Sequence, residues 1–316
     1  MHAVRIYFAT DIHGSDRCFR KFINAAAFYE AGVLILGGDI TGKTVVPLLK
    51  QSTGDYTFCW QGREQRVSAS ALPAALKDLR DAGSYPALLE REEIAALGQD
   101  PARVEELCAR LACESIGRWL DLAEERLQGS GVECYIAPGN DDPPAIDGVL
   151  ARGRLVVNPE GRVVHLRDTW EMIAYGTVNH TPWRSPRELT EEALARRLEA
   201  LACQIQDPAR AIFTIHVPPY GSGIDRAPEL DRNLKPVILP GGVHTISAGS
   251  TAVSALIKRY QPLLALHGHI HEAAGSARIG RTLCLNPGSE YTVGVLRGAL
   301  VQLDHKGIED FLLTAG

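Results

Sequence analysis

Short apolar runs punctuate this chain, and five of them stop abruptly at a carboxylate, an amide or an imidazole. The runs at 5–10, 33–36, 133–137, 163–166, 172–175, 211–215, 263–266, 282–285, 299–303 and 311–314 have the length and β-branched content of strands. Stretches with helical apolar spacing fall between several of them, at 16–30, 190–206 and 250–260. Alternating strands and helices predict an α/β chain, whose sites form beyond the carboxyl ends of its strands.

One interval breaks the rhythm. Asp39 and Asn140 lie about 100 residues apart, where one crossover needs about 30. Residues 43–131 therefore read as an insertion into a single domain spanning 1–316. Its first part, 45–50, 56–60 and 65–68, carries turn residues between short runs and predicts a β-meander. Its second part, 72–82 and 88–127 with a break near Gly98 and Pro101, has helical spacing. Such a segment is either a solvated helical appendage or a lid or dimer element over a site.

With 316 residues, 45% of them hydrophobic, the chain can bury a large core. A formal charge of −5 gives no field suited to long nucleic acid. Seven cysteines without a Cys-x-x-Cys pair suit reduced thiols, and the expected location is cytoplasmic. The chain runs directly into a strand, so no signal peptide is expected. No apolar run reaches the roughly 18–20 residues of a membrane span.

The polar run ends are Asp11-Ile-His13, Gly38-Asp39, Gly139-Asn140-Asp141-Asp142, His216 and Gly268-His269-Ile270-His271. Each has an ordinary reading alone: a turn pair, a helix cap, a core histidine. Together they place unpaired polar groups at the ends of five apolar strands, where burial is costly unless the groups share a partner. Asp39, beside two glycines, suits a carboxylate bridging two ions. The set is nitrogen and oxygen without thiolate, which suits Mn, Fe, Zn or Ni without choosing among them; Mn is the expected ion.

These motifs resemble the calcineurin-like metallophosphoesterase superfamily, whose pattern is D-x-H, G-D, G-N-[H/D/C]-[D/E], a lone H, then G-H-x-H. The resemblance covers 1–42 and about 132–304. With Asn286-Pro-Gly-Ser289 it looks most like the bacterial and archaeal branch related to cyclic-nucleotide phosphodiesterases. It implies a four-layer αββα sandwich and two divalent metal ions. One would be held by Asp11, His13, Asp39 and His271, the other by Asp39, Asn140, His216 and His269, with Asp39 bridging. It implies hydrolysis of a small phosphoester or nucleotide by a metal-bridging hydroxide. Where many members carry histidine after Gly-Asn, this chain has Asp141. An ionised carboxylate there repels a phosphate dianion, so a phosphodiester is the expected substrate. Asp142 is expected to fix a histidine ring, and His180 to donate to phosphate, with Trp183 stacking on a base. His267 reads as a core or supporting histidine and Ser250 as a helix cap. The alternative function is a non-catalytic scaffold that binds a partner through the insertion; a homodimer is the expected assembly if the insertion is a subunit contact.

Overall fold

Side chains alternate across the first strand, Val4–Ala9, and both of its faces are buried. Ile6 and Phe8 point into one core, Tyr7 and Ala9 into another. Val33–Gly37 repeats this, with Val33 and Ile35 on one side and Leu34 and Leu36 on the other. Period-two alternation between two apolar environments makes a strand in the middle of a layered fold. The computed structural model describes residues 3–316.

The first sheet has six strands in the order Gly307–Ala315, Arg297–Asp304, Val4–Ala9, Val33–Gly37, Glu133–Ala137, Val156–Val157. The second has six in the order Gly275–Ile279, Thr282–Asn286, Leu264–Leu266, Ala211–Ile215, Trp170–Tyr175, Val163–Leu166. The first sheet is parallel from Val4–Ala9 to its Val156–Val157 edge and antiparallel at the other, and the second is parallel at its centre and antiparallel at both edges. Ile6, Phe8, Ile35, Met172, Ile212 and Leu285 fill the space between the sheets. Helices cover the outer faces: Asp16–Phe28 and Pro101–Leu127 on the first sheet, Glu191–Ala202 and Thr251–Tyr260 on the second. The expected αββα sandwich is the observed architecture. Among the described residues no helix is long and apolar enough to cross a membrane.

Residues 43–131 divide into two parts that pack differently. Thr44–Lys50, Tyr56–Trp60 and Arg63–Val67 form the expected meander, and Ser84–Leu88 adds a fourth strand, parallel to the first. This strand corrects the reading that began a helix at residue 88. Its Pro86 masks the strand signal, and is tolerated because the strand lies at the sheet edge. Val46, Leu48, Phe58 and Leu79 give this sheet a small core of its own. The helix break falls at Asp100, which caps Pro101–Leu127 by accepting from Ala102 N at 3.0 Å. That long helix is no solvated arm. Ile116, Trp119, Leu120, Ala123 and Leu127 are buried in the same core as Phe19 and Phe22, and Trp119 stacks on Phe19 at 4.3 Å between ring centroids.

Candidate metal centre

Every polar run end sits just past the carboxyl end of a parallel strand: Asp11 and His13 after Val4–Ala9, Asp39 after Val33–Gly37, Asn140 after Glu133–Ala137, His216 after Ala211–Ile215, His269 and His271 after Leu264–Leu266. The strand pairing continues into the loops. Asp11 N donates to Gly38 O at 2.9 Å, His13 N to Asp39 O at 3.0 Å, and Gly268 N to His216 O at 2.8 Å. Four of the seven residues hold positive φ without being glycine: Asp11 at 53°, His13 at 38°, Asp39 at 49° and His269 at 66°. Such conformations cost of order 1–3 kcal/mol each and persist where the surroundings over-determine them, often at functional sites. Gly38 is required here, since its φ is 118° and a Cβ would lie 2.5 Å from His216 Nδ1. Asn286-Pro-Gly-Ser289 closes the centre: Asn286 Nδ2 donates to Ile270 O at 3.0 Å and Ser289 Oγ to Asp11 O at 2.6 Å.

The side chains converge in overlapping clusters whose ligand atoms lie within 4.8 Å of one another: Asp11, His13 and His271; Asp39, His216 and His269; and His13, Asp39 and Asp141. Asp39 Oδ2 is 3.4 Å from His216 Nε2 and 3.9 Å from His13 Nε2, so it stands between the first two groups.

No known family profile matches the chain. An uncharacterized protein of Methanocaldococcus jannaschii is 26% identical over 193 residues, covering 60% of this chain and 79% of that one. One crystal structure covers 99% of both chains at 18% identity and a TM-score of 0.60. That of TT1561 from Thermus thermophilus covers 100% of this chain and 99% of its own, at 14% identity and a TM-score of 0.55. At such identities the likeness is one of fold. Two facing six-stranded sheets, with the motif residues gathered at their strand ends, decide which fold it is. The chain has the calcineurin-like metallophosphoesterase fold.

In this centre the charges are set by burial and by close pairs. Burial raises the Asp11 carboxyl, but His216 and His271 outweigh it and hold it down at about 2. Burial likewise opposes ionisation of Asp39, and the nearby His216 and His13 overcome it, leaving Asp39 well below the usual carboxylate range. Burial pushes His13 and His269 down to about 4, so both rings are neutral and offer lone pairs. Burial also disfavours the charged form of His216, yet Asp39 and Asp11 raise it to about 10.

The donor set fits divalent cations. His13 Nε2 and His271 Nε2 face each other at 3.1 Å. His216 Nδ1 donates to Gly37 O at 3.0 Å, which leaves Nε2, buried and without a hydrogen-bond partner, aimed at the two carboxylates. Asn140 Nδ2 donates to Ser185 Oγ at 2.9 Å, and the buried Asn140 Oδ1 has no partner. Imidazole nitrogens and an amide oxygen left this way match borderline ligands of Mn, Fe, Zn or Ni. A cation would displace the proton from His216. Metal affinity is therefore expected to rise with pH from neutrality toward about 10, with about one proton released per chain. Calorimetry in buffers of different ionisation enthalpy measures this; uptake at pH 7 with no proton release contradicts it.

The flanking residues are placed differently from expectation. Asp142 touches no histidine ring. It is fully buried and accepts from Thr41 N at 2.8 Å, Thr41 Oγ1 at 2.6 Å, Ile40 N at 3.1 Å and Gly139 N at 2.7 Å. It thereby ties the loop after Asp39 to the loop bearing Asn140. A buried carboxylate seeks backbone donors when no cation is near, and most of these donors come from residues about 100 positions away in the chain. His180 is not gathered in. Its side chain is 65% exposed and its Nδ1 lies 3.4 Å from Glu188 Oε2, on a loop whose own carboxylate–hydroxyl contacts hold it outward. Trp183 is likewise exposed. Ser185 of that loop, not singled out in the sequence, is what reaches Asn140. His267 is a core histidine, bonded through Nδ1 to Ile215 O at 2.7 Å, and Ser250 caps its helix by accepting from Val253 N at 3.2 Å.

Asp141 does lie at the centre. Its N–H donates to Asp39 Oδ1 at 2.9 Å, and its carboxylate is paired with Lys43. Burial and the nearby Asp39 push its carboxyl up to about 7 against the pull of Lys43. Tyr291 lies over His13, with ring centroids 4.8 Å apart. Neither Lys43 nor Tyr291 stands out in the sequence. Their only signals are closeness to Asp39 and to the Asn-Pro-Gly-Ser run.

Proposed function

We propose that the chain is a metal-dependent phosphoesterase that holds two divalent cations and prefers small phosphodiesters. Asp11, His13, Asp39 and His271 would hold one cation, and Asp39, Asn140, His216 and His269 the other. The observation that carries this reading is the convergence of ligand atoms at one place, with His13 and His271 Nε2 facing each other and the buried His216 Nε2 and Asn140 Oδ1 left without a hydrogen-bond partner. Cations bound there lower the pKa of water and neutralise phosphoryl oxygens.

The chain's own residues do the holding and orienting. Asp39 stays ionised between the two groups, and His13 and His269 stay neutral. The Gly37 carbonyl fixes the His216 tautomer, so that Nε2 is the ligand atom. Asp142 keeps the two ligand-bearing loops in register. Asp141 disfavours a second negative charge on the substrate, which a monoester brings and a diester does not.

Metal analysis of purified protein, followed by a phosphoester panel with Mn added, tests the class. About two metals per chain with turnover is expected; bound metal with no ester hydrolysed would leave a binding protein. For the diester preference, wild type is expected to turn over bis-p-nitrophenyl phosphate faster than p-nitrophenyl phosphate. Asp141→His should shift the ratio toward the monoester by about tenfold, from the removed like charge. A wild type that already favours the monoester retires the diester part of the reading.

A further inference from the structure

Lys43 follows Asp39 by four residues and immediately precedes the first strand of the inserted sheet, Thr44–Lys50. Its backbone is pinned from both sides. Thr41 is bound to Asp142, Gly42 N donates to Tyr85 Oη at 2.7 Å, and Thr44–Lys50 runs parallel to Ser84–Leu88. A Cβ on Gly83, at the turn before that strand, would collide with His13 O, so the inserted sheet is rooted directly on the ligand loop. The lysine side chain thus leaves a fixed point at the rim of the centre.

Its ammonium pairs with Asp141, whose carboxylate clusters with His13 and Asp39. The two partners differ in exposure: the Asp141 side chain is 16% exposed, that of Lys43 56%. Lys43 therefore spans from the buried carboxylate to the open mouth. An ammonium carries three donors, and Asp141 is the only ion-pair partner of Lys43 among the described residues. Donors remain for an anion arriving from solvent. Arg187, beside the Asn140 loop, has no such freedom: it donates to Asp147 Oδ1 at 2.6 Å and to Asp142 O at 2.9 Å. Asp11, Asp39 and Asp141 also bring negative charge to a place that must accept an anion, and Lys43 offsets part of it.

We infer that Lys43 is the substrate-facing cation of this centre, held by Asp141 and binding a phosphoryl oxygen of the ester. The inference rests on the phosphoesterase reading for its substrate class, and assigns a binding residue beyond the metal ligands. An exposed surface pair would contribute little. This one is anchored to a mostly buried carboxylate within the ligand cluster, where a charge-assisted contact is stronger.

The test uses the full-length, metal-loaded protein and inorganic phosphate as probe, with affinity from calorimetry and metal content from elemental analysis. Lys43→Met is expected to keep its metal and weaken phosphate binding by about tenfold or more, whereas Lys43→Arg stays within about threefold of wild type. Phosphate affinity unchanged in Lys43→Met overturns the inference. So does loss of metal together with phosphate, since Lys43 would then act only by holding Asp141, and so does a wild type with no measurable phosphate binding. A wild type that binds phosphate through Lys43 yet hydrolyses no ester fails the phosphoesterase reading alone. A wild type that hydrolyses esters while Lys43→Met binds phosphate normally fails the Lys43 contact alone.

Discussion

Asp39→Ala is expected to abolish ester hydrolysis, by about a thousandfold or more, and to empty both cation positions together. Asp39 Oδ2 lies between the two ligand groups, 3.4 Å from His216 and 3.9 Å from His13. Asp11 Oδ1 also lies near both, 3.7 Å from His216 and 3.3 Å from His271, but Asp39 belongs to two of the ligand clusters and Asp11 to one. Asp39→Asn separates charge from shape. It retains an oxygen but carries no negative charge, so it should hold less metal than wild type and fold normally. Elemental analysis beside turnover measures both effects. Two ions per chain and wild-type turnover in Asp39→Ala would falsify the bridging role.

The second large effect is on stability. Asp142→Ala removes the acceptor for three backbone N–H groups and a hydroxyl, all buried between two loops. Unpaired buried donors cost about 1–3 kcal/mol each where water cannot reach them. A loss of about 3–5 kcal/mol is expected after local relaxation, in the range for breaking a buried hydrogen-bonded charge. The same variant should bind metal weakly, because Asp39 and Asn140 lose their common brace. Asp142→Asn keeps one acceptor oxygen and should fall between. Urea unfolding followed by fluorescence gives the stability, and a change below about 1 kcal/mol for Asp142→Ala would mean that the brace contributes nothing.

The gathering of polar run ends was legible in the sequence for one physical reason, while the four-layer sandwich was implied only by the resemblance that those motifs carry. Strands buried on both faces read as unbroken apolar runs, and a polar residue at the end of such a run is conspicuous. Local signals also placed the helix break, because Asp100 and Pro101 are a cap and a first-turn proline whatever surrounds them. What escaped depends on contacts between distant residues. The role of Asp142 is defined by Ile40 and Thr41, and nothing next to it in the chain announces them. Lys43 looks like any loop lysine until Asp141 is brought beside it. Pro86 hid an edge strand. The helix Pro101–Leu127 has the same amphipathic spacing whether it covers an appendage or the main core, so periodicity alone did not reveal its depth. His180 was overvalued because a histidine near prolines in a long loop has no local mark of outward orientation.

The order of the first sheet has a consequence for how the molecule comes to exist. Val4–Ala9 is made long before Arg297–Asp304, yet it lies between that strand and Val33–Gly37. Until residues 297–304 leave the ribosome, the early strand presents an open apolar edge to every other chain nearby. The second pair of histidines, His269 and His271, arrives almost as late. Neither the closed sheet nor the full gathering of polar residues exists during most of synthesis. The folding of this chain is thus governed by contacts of very long sequence separation, which close slowly. Its nascent form is the state most exposed to aggregation, and the ligand cluster is completed only at the end of folding.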